Sequence, residues 1–283
     1  MNEHGLANRF TEAFMNYSAL LLQSGLDKID AQVLFSHCTG KNRAWLIGHG
    51  QDEVDPAHVS VFNPLAARRR AGEPVAYIIG SREFYGRDFV VNPSVLIPRP
   101  DTELLVELAL ERAADGARVL DLGTGSGCIP ITLKLERLDL DVSAVDLSPS
   151  ALIVAQTNAS RLDAAVRFYQ SDWYQALGDA RFEIIVSNPP YIEKNDHHLS
   201  EGDLRFEPRS ALSDEGDGLV HLRRIISGAC HHLKESGWLL CEHGWDQSAA
   251  CRSLLEDAGF HEVQSWRDLS GIERVTGGRY TLA

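Results

Sequence analysis

An α/β fold is predicted for this chain: a doubly wound, Rossmann-like sheet of seven mostly parallel strands behind a small N-terminal helical domain. Three observations predict it. A short apolar strand over 117–122 runs into Gly123-Thr124-Gly125-Ser126-Gly127 and then a helix start at Cys128, the arrangement that brings backbone N–H groups close to a nucleotide. From that point to the end, strand-like runs alternate with helical patterns, as in a parallel sheet covered on both faces. Residues 1 to about 75 hold no convincing strand and repeat their apolar residues at helical spacing.

In that first segment Phe10, Phe14, Leu20 to Leu22, Ala31, Val33, Leu34 and Phe35 carry the helical period, and Gly72-Glu73-Pro74 closes it. From Val75 to Leu96 the chain turns β-rich, with 84–91 reading as a hairpin, and 76–97 is expected to link two domains. Pro98-Arg99-Pro100-Asp101-Thr102-Glu103 stops the extended chain and caps a helix running to about Ala114. The domain from 98 to 283 then carries strands at 117–122, 142–147, 166–171, 182–187, 238–243, 261–267 and 275–282. The last two, joined by Leu269-Ser270-Gly271, suit an antiparallel hairpin at one edge.

With 283 residues the chain is long enough for an α/β domain plus a smaller module. A net charge of −13 argues against a protein built to grip nucleic-acid phosphates, and Arg68-Arg69-Arg70 reads as a solvated helix end. Five cysteines without C-x-x-C pairing read as reduced, mostly buried small hydrophobes, and His197-His198 and His231-His232 lack metal-ligand spacing. Neither a signal-peptide core nor a transmembrane run is present, so the cytoplasm is the expected compartment.

The glycine turn departs from the dinucleotide fingerprint. It reads D-L-G-T-G-S-G, one residue tighter, with Asp121 just before it. A carboxylate there repels a pyrophosphate and favours a cation bearing an amine and a sulfonium. Asp146 ends the second strand about 20 residues on, the place for gripping ribose hydroxyls. Ser148-Pro149 already supplies the following helix cap, which leaves Asp146 for a ligand. Ser171-Asp172-Trp173 ends the third strand and Asn188-Pro189-Pro190-Tyr191 the fourth. All these groups fall on the carboxyl edge of one sheet, where α/β folds bind ligands. Two prolines in succession force the chain out of the sheet with a fixed shape. Asn188 Oδ1 and the Pro189 carbonyl then stand beside an aromatic ring, a fit for a planar group bearing an NH2.

Together these motifs resemble S-adenosylmethionine-dependent methyltransferases that alkylate planar nitrogens, and over nearly the whole length the PrmC/HemK family, protein-(glutamine-N5) methyltransferases of peptide chain release factors. The likeness rests on 73–80, Leu96 to Glu103, the glycine turn with Cys128 and Ile129, N-P-P-Y, Glu207-Pro208 with Ala211-Leu212, 216–219, and Arg274-Val275 to Gly278-Arg279-Tyr280. N-P-P-Y alone is shared with adenine-N6 methyltransferases; the 98–103 segment is more specific. The resemblance implies a seven-stranded methyltransferase sheet, with the helical domain docking a class 1 release factor. The target would be the glutamine of its Gly-Gly-Gln loop, with no membrane or nucleic-acid substrate. Gly123, Thr124, Gly125, Ser126, Gly127, Asp146, Asp172, Trp173 and Asn188 would surround S-adenosyl-L-methionine, which leaves as S-adenosyl-L-homocysteine. Asn188, Pro189, Pro190 and Tyr191 would hold the glutamine, with Asn188, Pro189 and Tyr191 catalytic. The implied chemistry calls for no metal. The other readings are a ribosomal-protein glutamine methyltransferase with the same turn, a nucleic-acid adenine or guanine methyltransferase, which would call for a basic face, and a cofactor-binding protein without catalysis, which leaves N-P-P-Y unexplained.

Overall fold

A computed structural model describes residues 15–281 as two compact units that divide between Ile79 and Gly80. Phe10, Phe14 and the last position of the strand expected at 275–282 lie outside the described residues. The first unit is helical: α1 (Tyr17–Gln23), α2 (Lys28–Thr39), α3 (Arg43–His49), α4 (Pro56–Arg70) and α5 (Val75–Ile79). Asn16, Asp27, Asn42 and Asp55 each accept a backbone N–H at the start of the first four helices, which satisfies donors that a helix end leaves open. Leu20, Leu34, Phe35, Phe62, Ala66 and Ile78 meet in its core. The arginine run ends α4 as expected, but its guanidiniums are engaged: Arg68 binds Glu73, Arg69 binds Asp30, and Arg70 reaches the Ser24 carbonyl.

Val75–Ile79 forms a helix, whereas its β-branched composition predicts an extended chain. Tyr77 and Ile78 both donate to the Pro74 carbonyl, and Ile78 is buried among the other helices. Burial of the apolar face outweighs local propensity here.

The second unit begins with a hairpin, β1 (Ser81–Phe84) and β2 (Arg87–Val90), which starts three residues ahead of the 84–91 stretch that reads as one in the sequence. Its two-residue turn, Tyr85-Gly86, has positive φ at both positions and so matches the strand twist. A 3-10 turn (Pro100–Thr102) leads into α6 (Glu103–Arg112). Then follow β3 (Arg118–Leu122), α7 (Cys128–Glu136), β4 (Asp141–Asp146), α8 (Pro149–Arg161), β5 (Arg167–Gln170), β6 (Phe182–Ser187), α9 (Val220–His232), β7 (Leu233–Glu242), α10 (Ser248–Asp257), β8 (Phe260–Arg267) and β9 (Glu273–Tyr280).

The seven strands β3 to β9 form one sheet, ordered β5-β4-β3-β6-β7-β9-β8. Pairing is parallel except around β9, which runs antiparallel to both β7 and β8. The closing hairpin is therefore present, with β9 inserted beside β7 and β8 left at the edge. Period-two alternation sorts the strand side chains onto two faces. Val119, Val142, Ile184 and Leu240 pack with α6, α7 and α8, while Leu120, Val145, Ile185 and Leu239 pack with α9 and α10. Apart from the closing hairpin, alternation fails once: 171–181, between β5 and β6, is turns rather than helix. β7 starts five residues before the expected strand, with its register shifted where Ser236 takes positive φ.

Asn158 of α8 ties the hairpin to this sheet. Fully buried, it accepts from Val90 N at 2.7 Å and donates to the carbonyls of Val90 and Ser126 at 3.0 and 2.9 Å. One side chain thus joins a helix, a hairpin and the glycine turn.

Candidate active site

A cavity of about 250 Å³ opens at the carboxyl ends of β3, β4, β5 and β6. The strand order places β3 centrally, with β4 on one side and β6 on the other, so the chain leaves the sheet in opposite senses around β3. That is where an open α/β sheet forms a crevice.

The glycine turn forms the floor. Gly123, Thr124, Gly125 and Ser126 line the cavity; Gly127, at φ +81, begins α7 instead. A Cβ on Gly127 would come within 2.9 Å of Ile131 Cδ1 and 3.1 Å of Ala155 Cβ, so only glycine lets α7 and α8 close together here. Gly125 donates to Asp146 Oδ2 at 2.8 Å and Ser148 N donates to Asp146 Oδ1 at 2.9 Å. Ser148 does cap α8. Asp146 is nevertheless not free, as the sequence suggests, because each oxygen already shapes a turn. Each still has a lone pair for a hydroxyl. Burial raises the Asp146 carboxyl above its ordinary range, against the pull of the Ser148 and Gly125 N–H groups.

Below the turn lies a more costly group. Asp121 is fully buried on β3, and among the described residues neither of its oxygens has a partner of good hydrogen-bond geometry, nor has Thr124 Oγ1. Burial pushes its carboxyl up to about 7, eased by the Thr124 hydroxyl and reinforced by the charge of Asp146. A buried carboxylate without a partner is expensive unless a cation completes it.

Asp172 and Trp173 form another wall. Asp172 Oδ2 takes an ion pair from Arg224 at 2.8 Å, and Ser171 Oγ donates to the Trp173 carbonyl at 2.7 Å, holding a residue whose φ is +53. The Trp173 ring lies against Gly123 and 5.2 Å from the His221 ring.

Across the cavity stands the turn after β6. Asn188 and Pro190 are on the lining; Pro189 is buried, and Pro189 and Tyr191 fall outside the lining. Asn188 Nδ2 donates to Thr102 Oγ1 at 3.1 Å, which turns Oδ1 away from Thr102. Tyr191 donates its hydroxyl to Glu242 Oε1 at 3.4 Å, and burial holds that hydroxyl far above its ordinary pKa. The backbone of the turn is pinned too: Gln247 Nε2 donates to the carbonyls of Tyr191 and Gly218, and Ile192 N to Leu212 O.

All nine candidate cofactor residues except Gly127 therefore border one cavity, together with two of the four substrate candidates. Several lining groups are not among the site residues read from the sequence. Leu96, Pro98, Arg99 and Thr102 enter from the segment before α6, and Pro208, Ser210 and Ala211 from the long connection after β6. Buried Glu207 joins these two segments, accepting from Ile97 N at 2.9 Å and pairing with Arg99. Each segment stands among the motifs that carry the family resemblance, which was the available signal. His221 and Arg224, on α9, had none.

Elsewhere, all five cysteines are unpaired. Asp196, His197 and His198 bring their donor atoms together on an exposed turn, but Asp196 Oδ1 is taken up by His198 N and Nδ1. His232 stacks on Tyr174 and contacts the Ala180 carbonyl rather than facing water alone. Among the described residues no helix is long and apolar enough to cross a membrane.

Known proteins resemble the chain along both units. Residues 100–217 match the Methyltransferase small domain family, and residues 12–80 match the PrmC N-terminal domain. A release factor glutamine methyltransferase of Bordetella pertussis is 54% identical over 92% of this chain and 97% of its own length. Another of that name, from Escherichia coli, is 44% identical over 89% of this chain and 91% of its own. A solved methyltransferase from Pyrococcus furiosus shares the fold, with a TM-score of 0.56 at 15% identity over 78% of this chain and 100% of that one.

Proposed function

We propose, for a chain that belongs to the release factor glutamine methyltransferase family, that the cavity over the glycine turn takes S-adenosylmethionine and that the Asn188 turn takes the side-chain amide of a release-factor glutamine. The observation that carries this reading is the meeting of Asn188 and the glycine turn on one cavity. Bound there, S-adenosylmethionine supplies a methyl group activated by its sulfonium charge.

The residues suit that ligand. Asp121 is an orphaned buried carboxylate at the foot of the turn, which an ammonium group completes. The outward lone pairs of Asp146 accept ribose hydroxyls, and Leu147, Ala151 and Trp173 provide apolar walls for a flat base. Asp172, already paired with Arg224, holds that wall in place.

An amide nitrogen is a weak nucleophile because its lone pair is delocalised into the carbonyl, so the protein must position it. Asn188 Oδ1 and the Pro189 carbonyl accept its two N–H bonds, and Tyr191, anchored on Glu242, stays beside the amide. As the nitrogen gains positive charge these acceptors bind it more strongly than in the ground state, which lowers the barrier. Alignment supplies the rest. Pro190 and the wall of Pro208, Ser210 and Ala211 limit which chains can reach Asn188.

The substrate proposed at finer grain is the glutamine of the Gly-Gly-Gln loop of class 1 release factors, docked in part by the helical unit. Incubation with methyl-labelled S-adenosylmethionine and a release factor, followed by peptide mass spectrometry, tests this. The expected product carries one methyl group on that glutamine and none after its replacement by Asn, since a nitrogen displaced by even about 1 Å costs roughly a hundredfold. Methylation of naked nucleic acid with none on the release factor would sink the reading.

A further inference from the structure

Asn188 can serve as an acceptor only if its amide faces the right way, and its two ends are nearly the same shape. Turned by 180°, it would present N–H groups to the N–H groups of the substrate. What sets its direction lies behind it. Asn188 Nδ2 donates to Thr102 Oγ1 at 3.1 Å, and Thr102 is 2% exposed. A threonine hydroxyl has one proton and can also accept. With its oxygen accepting from Asn188, the proton is available to a group on the other side.

Glu242 is there. It ends β7, one step beyond Cys241, which pairs in register with Ser187, so it stands beside the strand end that carries Asn188. Its carboxylate is 1% exposed; Oε1 takes the Tyr191 hydroxyl at 3.4 Å and Oε2 has no partner of good geometry. The Thr102 hydroxyl is among the groups that favour its ionised form. A buried carboxylate is a costly way to fill space, and an apolar side chain of similar size would be cheaper.

We propose that Glu242 is a positioning residue for methyl transfer, fixing through the Thr102 hydroxyl which end of the Asn188 amide faces the cavity. An ionised carboxylate only accepts, so it draws the Thr102 proton to itself, leaves Thr102 Oγ1 as an acceptor for Asn188 Nδ2, and turns Oδ1 toward the substrate. The same carboxylate holds Tyr191, so both ends of the N-P-P-Y turn depend on one charge. This inference rests on Asn188 receiving the glutamine amide.

Protonation would reverse the relay. A neutral Glu242 can donate to Thr102, whose proton then points at Asn188 and draws Oδ1 inward. Burial pushes the Glu242 carboxyl up to about 7, and Asp101 raises it further, while Thr102, Arg274 and Tyr191 lower it. Cys128, on α7, also feels its charge. Turnover at saturating cofactor should therefore fall as pH drops through that range.

The test compares wild type, Glu242→Gln, Thr102→Val and Thr102→Ser as full chains with a release factor and saturating S-adenosylmethionine, from about pH 5 to 9. Glu242→Gln is expected to lower kcat at least about tenfold and to flatten its acid limb. Cofactor Kd by calorimetry should stay close to wild type, and the melting temperature should not fall; loss of a buried charge raises it at the pH where Glu242 is ionised. Thr102→Val should reproduce the loss, while Thr102→Ser, which keeps the hydroxyl, should restore kcat to within about threefold. Undiminished kcat in Glu242→Gln or Thr102→Val, or a serine variant as poor as the valine one, overturns the proposal. So does a loss of kcat matched by lost cofactor affinity and a lowered melt, which assigns the network to folding alone. A wild-type enzyme inert toward the release factor overturns the parent reading and this one with it.

Discussion

Asp121 makes the proposed cofactor site costly to fold. Its carboxyl sits at about 7 in the folded chain, against about 4 when unfolded. Between those values the folded state binds more protons than the unfolded one, so stability falls as pH rises across that window and stays low above it. Asp121→Asn removes the charge, and calorimetry should show a higher melting temperature above about pH 8 with a flatter pH dependence. An ammonium ligand favours the ionised form, so S-adenosylmethionine should bind wild type more tightly as pH rises through about 7, and bind the variant weakly throughout. Equal slopes in both proteins would remove Asp121 from the site. Asn188→Ala is expected to cost kcat more than about a hundredfold while release-factor affinity stays within a few fold, because the side chain acts on one amide and docking is spread over a surface. Single-turnover rates beside binding titrations separate the two, and near-normal turnover would discard the acceptor role. The places of Asp146 and Asn188 on the cavity were legible because each sits where a strand ends and a turn begins. Thr102 and Glu242 were not: a threonine inside a helix-start motif and a glutamate at a strand end look ordinary until the fold brings them together.

Strands and helices were legible wherever period and punctuation agreed, as in β3, β4 and β6. They were misread where packing overruled composition: α5 is apolar and β-branched yet helical, and the first residues of β7, Lys234 to Gly237, are too polar to signal a strand that borders β6. The absence of a helix between β5 and β6 went unforeseen because the connection reads as a loop only once its ends are known. Packing also makes the junction of α7 and α8 unforgiving. Gly127→Ala would place a methyl 2.9 Å from Ile131 and 3.2 Å from the Ala155 backbone, at a φ that L residues avoid. Loss of about 1–3 kcal/mol is expected in urea unfolding, with weakened cofactor binding because the glycine turn must shift. An unchanged midpoint would mean the two helices can part without cost.

At the scale of the molecule, chemistry and docking are expected to divide between the units. The residues lining the candidate active-site cavity all lie beyond Gly80, between Ser94 and Arg224. Deleting residues 1–79 should leave a unit that binds S-adenosylmethionine with nearly unchanged affinity and methylates a release factor poorly. Loss of cofactor binding in a truncation that keeps its circular-dichroism spectrum would contradict this. The position of that cut matters because of Asn158. The sequence suggests a linker over 76–97, yet the hairpin inside it donates to, and accepts from, a buried side chain of α8 that also grips the Ser126 carbonyl. A chimera that borrows the helical unit of a relative should therefore be spliced at Ile79–Gly80. A junction near residue 97 would import a foreign hairpin and leave Asn158 to find new partners for an amide with no access to water.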